Sequence, residues 1–135
     1  MSATEALVRR YYDAFNAGDV EGMLACLSED VRHDVNQGET RLGKAAFAEF
    51  CAHMAECYRE TLTDMVFLFD GSGTRAAAEF VVNGEYLATD PGLPEANGQT
   101  YVLPAGAFLA IEGDKITRVT TYYNLPEWER QVLGK

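Results

Sequence analysis

Thr61-Leu62-Thr63-Asp64-Met65-Val66-Phe67-Leu68-Phe69-Asp70 marks the point where the chain stops reading as helix and starts reading as strand. Before it, apolar residues recur every three or four positions. After it, Val, Thr, Phe and Tyr dominate, the residues that suit a pleated, half-buried surface. Four long strands follow from this reading, over 61–70, 74–88, 99–111 and 115–124. Gly71-Ser72-Gly73 and Glu112-Gly113-Asp114 are short enough to close antiparallel hairpins, whereas 89–98, with Pro91, Pro94 and two glycines, is a longer connection. Asn83-Gly84 and Pro104-Ala105-Gly106 are expected to bend or bulge the strands that carry them.

Working back toward the N-terminus, Ser2 and Glu5 have the spacing of a capping box. Leu7, Val8, Tyr11, Tyr12 and Phe15 then keep a helical period until Gly18. Asp19 caps a shorter helix with Val20, Met23, Leu24 and Leu27 on one stripe, ending near Ser28-Glu29-Asp30. Val31 to Val35 reads as a short strand followed by the polar loop 36–40, and Gly43 precedes a third helix from Lys44 to about Arg59 with Phe47, Phe50 and Met54 on its apolar face. Pro126 opens a brief last helix whose stripe is Trp128, Val132 and Leu133. Helices first and an antiparallel sheet afterwards give an α+β fold: a cone-shaped, strongly curved antiparallel sheet wrapped by three N-terminal helices, with an internal apolar cavity suited to a small molecule.

The chain has 135 residues, 47% of them apolar, which fits one domain over 1–135 with a core of its own. Its formal charge of −10 and lack of any basic run argue against nucleic acid and membrane surfaces as partners. Cys26, Cys51 and Cys57 form no close pair of the kind that binds zinc or exchanges disulfides, and read as reduced core thiols. With no ligand-spaced acidic cluster and no glycine-rich phosphate loop, neither a metal nor a dedicated cofactor is expected. No apolar stretch has the length of a signal peptide or a membrane span, so a cytoplasmic location is expected.

The chemistry-bearing candidates are Tyr11, on the first helix, and Asp34, in Val31-Arg32-His33-Asp34-Val35. A phenol and a carboxylate facing one apolar cavity can move a proton next to a carbonyl. Asp34 reads either as that base, raised by desolvation, or as the charged end of a short edge strand. On a regular strand His33 points the opposite way, so one of the two faces the cavity and the other does not. Asn83, Tyr101, Tyr123 and Asn124 are the candidates for orienting a ligand, Asn124 foremost, while His53 reads as a structural histidine near the apolar face of the third helix.

The order of elements, with Tyr11 in the first helix, Gly18-Asp19 between helices and His33-Asp34 on the first strand, resembles the ketosteroid isomerase branch of the nuclear-transport-factor-2-like superfamily. Leu93-Pro94, Gly98-Gln99, Asp114-Lys115-Ile116 and Tyr122-Tyr123-Asn124-Leu125 are similar to the polyketide-cyclase-like, or SnoaL-like, members. In ketosteroid isomerase an aspartate shuttles a proton while a tyrosine and a protonated aspartic acid hold the enolate oxygen. Tyr11 matches the tyrosine, and Asp34 matches the base with a one-residue deletion, ungapped counting reaching Val35. Where the second acid would fall stand Ala105, Gly106 and Ala107, which have no side-chain donor. The resemblance implies an isomerase- or cyclase-type pocket for a small hydrophobic carbonyl-containing molecule, with a noncatalytic ligand-binding or dimerisation module as the alternative. A two-fold homodimer closing the outer face of the sheet is also expected.

Overall fold

The computed structural model describes residues 2–35 and 38–135, so Asn36 and Gln37 of the expected polar loop lie outside the described residues. Helix α1 spans Ala3–Ala17, where the Ser2 hydroxyl accepts from the Glu5 amide at 3.0 Å and Gly18, at φ 70°, ends the helix in the left-handed conformation. Helix α2 spans Val20–Ala25, with the Asp19 carboxylate accepting from the Gly22 amide. Strand β1, Leu27–Val35, starts earlier than its β-branched core suggests, taking Leu27 out of the helical stripe and into the sheet. A short strand β2, Thr40–Leu42, begins at the last residue of the expected loop and continues past it, pairing with Arg32 to Asp34. Helix α3 spans Lys44–Cys57 and passes directly into β3, Tyr58–Phe69. Strands β4, Arg75–Tyr86, β5, Thr100–Glu112, and β6, Lys115–Tyr123, follow, and α4, Leu125–Val132, closes the order.

The six strands run in the order β2-β1-β6-β5-β4-β3 as one curved, unclosed sheet. It is mixed, not purely antiparallel: β1 lies parallel to β6. The intervening chain, a helix and four further strands, is long enough for the crossover that parallel pairing demands. The bends also fall elsewhere than expected. Asn83, Gly84 and Pro104 to Gly106 sit in an unbroken β4–β5 ladder, while β3 bulges between Thr63 and Val66. Asp64 takes up that extra residue at φ 54°, a conformation that aspartate tolerates better than most. Pro104 is accommodated because the ladder to β6 begins one residue later, at Ala105.

The concave face of the sheet carries Leu62, Ala78, Phe80, Val82, Leu103, Leu109 and Val119, packed against Leu7, Val8, Tyr11 and Tyr12 of α1 and Phe47 of α3. The other face leaves Val66, Leu68, Val102, Phe108 and Tyr122 exposed. Among the described residues no helix is long and apolar enough to cross a membrane.

Candidate active site

The helices and the concave face enclose a cavity of about 960 Å³, lined by elements from α1 to α4. Its walls are aromatic but not uniformly apolar, because Glu60, Asp90, His33 and His53 stand among the rings.

Glu60 owes its place to strand alternation. With Leu62 buried in the core, Glu60 and Tyr58 share the inward face of β3. Glu60 is in register with Gly84, and Gly84 with Tyr101, so the three form one lateral row across β3, β4 and β5. Gly84 is the gap in that row: a Cβ there would stand 2.1 Å from Cζ of Tyr101. The tyrosine ring lies over the glycine and its hydroxyl donates to Glu60 Oε2 at 2.5 Å. Trp128, from α4, meets the rings of Tyr86, Tyr101 and Tyr58 edge-on at 5.0, 5.9 and 6.1 Å, and so fixes this end of the cavity. Burial raises the Glu60 carboxyl above its ordinary range, an effect that the Tyr101 hydroxyl partly offsets. Burial and the neighbouring Glu60 push the Tyr101 phenol far up, so it stays a donor at neutral pH.

A second polar group stands where α3 meets the loop after β4. Asp90 accepts from the Tyr58 hydroxyl at 2.7 Å through Oδ2, and its Oδ1 lies 2.9 Å from His53 Nε2. Cys57 Sγ lies 3.8 Å from the same nitrogen, and its thiol is raised by burial and then by Asp90 and Glu56. The loop is anchored from within, since the Tyr86 hydroxyl accepts from the Asp90 amide and donates to the Pro94 carbonyl.

The Tyr11–Asp34 pair does not assemble. Tyr11 lines the cavity, buried beside Tyr12 and Phe47. Asp34 points to the opposite face of the sheet, where the hydroxyls of Thr40 and Thr120 donate to it at 2.7 and 2.8 Å and Arg32 Nε lies 3.1 Å from both oxygens. These partners hold its carboxyl below the ordinary range against the opposing effect of desolvation, the reverse of what a cavity base needs. The phase of β1 is set by its register, Asp34 opposite the outward Thr120 and His33 opposite the inward Val119. His33 therefore faces the cavity side, 4% exposed between Phe47 and Phe50. Burial, followed by the Arg41 charge, lowers its pKa to about 4, leaving a neutral imidazole at pH 7.

Of the ligand-orienting candidates, Tyr101 and Tyr123 line the cavity. Asn83 does not: its neighbours Val82 and Gly84 take the inward positions, and its amide donates to Thr63 Oγ1 at 2.8 Å on the outer face. Asn124 is the N-cap of α4, its Oδ1 accepting from the Glu127 amide at 3.1 Å. Glu60 and Asp90 were absent from the sequence reading. Extending the alternation of β3 back from Leu62 would have found Glu60, whereas no local pattern marks Asp90, 37 residues from His53.

A curved sheet closed by helices around a cavity that holds a carboxyl and phenol donors defines an α+β protein with a small-molecule-type pocket. The family model of the SnoaL-like domain matches residues 8–119, and the chain belongs to that family. Solved structures similar to it include a candidate polyketide cyclase from Pseudomonas putida, 63% identical over 98% of both chains with a TM-score of 0.94. Another from a Silicibacter species is 62% identical over 96% of this chain and 95% of its own, also with a TM-score of 0.94. A nuclear-transport-factor-2-like protein from Burkholderia xenovorans, 18% identical over 96% of this chain and 95% of its own, shares the fold at a TM-score of 0.75. No curated protein sequence matches the chain.

Proposed function

We propose that this protein is an enzyme of cyclase or isomerase type that moves a proton next to a carbonyl of a hydrophobic small molecule, and that Glu60 is the group that carries the proton. The observation behind this reading is the Glu60–Tyr101 pair inside the cavity. A carboxylate with a raised pKa is a stronger base than an exposed one and sits closer to the operating pH, where proton transfer in both directions is efficient. Tyr101 donates to one carboxylate oxygen of this cavity-lining residue, and its own raised pKa keeps it from competing for the proton. The candidate polyketide cyclases at 62% and 63% identity support a substrate with enolisable carbonyls. The missing side-chain donors at Ala105 to Ala107 make the steroid isomerase arrangement a poor model for this pocket.

The test is α-proton exchange in deuterated water. A panel of cyclic ketones and β-diketones is incubated with wild type, Glu60→Gln and Asp34→Asn, and loss of the α-proton NMR signal is followed. The expected result is catalysed exchange that Asp34→Asn keeps and Glu60→Gln lowers by about 10²–10⁴-fold, the usual contribution of a positioned base. Exchange lost in Asp34→Asn but kept in Glu60→Gln would refute the assignment. Ligand binding with no exchange above background would leave the noncatalytic binding reading standing in its place.

A further inference from the structure

His53 and Cys57 are four residues apart at the end of α3, so they share a helix face, and Asp90 reaches them from the loop after β4. Nε2 of His53, Sγ of Cys57 and a carboxylate oxygen of Asp90 all lie within 4.8 Å of one another. The decisive detail is that one ring nitrogen faces both partners, at 2.9 Å from Asp90 Oδ1 and 3.8 Å from Cys57 Sγ. A thiol-histidine-acid nucleophilic triad uses opposite ring nitrogens, one to accept the proton and one to be oriented. Here the three donor atoms cluster around one ring nitrogen instead. A tetrahedral ion with bonds of about 2.0–2.3 Å holds its ligand atoms roughly 3.3–3.7 Å apart, a spacing inside the range from 2.9 to 4.8 Å that these atoms span.

We propose that His53, Cys57 and Asp90 form a binding site for one divalent cation of the zinc class, with its remaining coordination position toward the cavity. A nitrogen, a sulfur and a carboxylate oxygen are a donor set that suits zinc better than magnesium or calcium. Asp90 is already prepared for the role. The Tyr58 hydroxyl holds Oδ2 and leaves Oδ1 directed at His53, the kind of outer hydrogen bond that orients metal ligands. The Asp90 backbone is fixed by the buried Tyr86 hydroxyl, so the loop ligand is not free to swing away. His53 and Asp90 both line the cavity, which places the fourth position where a water or a ligand oxygen enters. This site stands on residues other than the Glu60–Tyr101 pair, and its failure would leave that reading untouched.

The experiment uses the full chain, reduced and treated with a chelator, then titrated with Zn(II) against a chromophoric competitor and separately with Co(II). The proposal expects one equivalent of Zn(II) per chain and a near-ultraviolet thiolate-to-cobalt absorption. Cys57→Ser should remove that absorption, and Cys57→Ser, His53→Gln and Asp90→Asn should each weaken Zn(II) binding by about tenfold or more. Circular dichroism before metal addition establishes that each variant is folded. Because His53 is partly exposed, His53→Gln carries the test if the buried Cys57 variant misfolds. No stoichiometric uptake, a cobalt spectrum without the thiolate band, or Zn(II) affinity unchanged in folded His53→Gln and Asp90→Asn would overturn it.

Discussion

Gly84→Ala is the smallest change that should dismantle the Glu60–Tyr101 pair without touching either residue. The added Cβ would stand 2.1 Å from Cζ, 2.3 Å from Cε2 and 2.4 Å from the hydroxyl of Tyr101. A flexible side chain could swing aside, but Tyr101 is 3% exposed, lies against Trp128 and is bonded to Glu60. Over-packing of this kind costs about 1–3 kcal/mol, and displacing the ring also forfeits a hydrogen bond to an ionisable group, roughly 1.5–3 kcal/mol. Replacing glycine in a strand by itself recovers about 0.5–1 kcal/mol of chain entropy. The expected net loss is on the order of 2–4 kcal/mol, read from the urea midpoint at constant m value. The control is the same substitution in Tyr101→Ala, where the obstructing ring is gone and Gly84→Ala should be neutral or mildly stabilising. A double-mutant cycle therefore yields a coupling of about 2 kcal/mol or more. Equal effects of Gly84→Ala in both backgrounds would refute the claim that the glycine exists to admit the tyrosine.

Further outcomes follow from other parts of the structure. His33 is neutral in the fold, with a pKa lowered to about 4 from 6.5; the unfolded chain binds its proton first, so stability falls as pH drops from about 6.5 toward 4, by up to roughly 3 kcal/mol. The difference between wild type and His33→Phe in urea unfolding across that range should show this slope, and parallel curves would contradict it. Asp34→Ala should cost about 1–2 kcal/mol through its lost Thr40 and Thr120 bonds while leaving ligand affinity in the cavity unchanged; a large loss of binding would mean that the outer face takes part in the site. Because the Asp34 pKa is lowered, its contribution is present above the ordinary carboxylate value and is lost as pH falls below it. We also propose that the exposed face bearing Val102, Phe108 and Tyr122 is closed by a second copy of the chain. Sedimentation at micromolar concentration should then give a dimer that Phe108→Glu dissociates, and a wild-type monomer would contradict it.

Much of the architecture was legible because local chemistry and tertiary packing agree. The Ser2–Glu5 cap, the Gly18 stop and the Asp19 cap each do in the structure what their residue types favour. The four long strands were visible from composition, but their bends were not. Gly84 reads as a bulge and is a seat for a ring, while one of the register shifts lies at Asp64, where no glycine announces it. The parallel β1–β6 pairing depends on a long-range partner that alternation within β1 cannot reveal. For the same reason the choice between His33 and Asp34 was reduced to two options and could go no further, since Thr120 and Val119 decide it from β6. Glu60 was hidden by the abrupt passage from α3 to β3, which obscured the first inward positions of the strand.

Glu60 serves as the proton carrier only as a cavity carboxyl with a raised pKa and a phenol donor. Its side-chain carboxyl carbon can be followed by NMR as a function of pH in wild type and in Tyr101→Phe. The structure predicts a midpoint above the ordinary glutamate value in wild type, because burial outweighs the hydrogen bond, and a further rise in Tyr101→Phe, because the hydroxyl that stabilises the anion is gone. A midpoint at or below the ordinary value, unmoved by Tyr101→Phe, would contradict the assignment of Glu60 as the proton carrier.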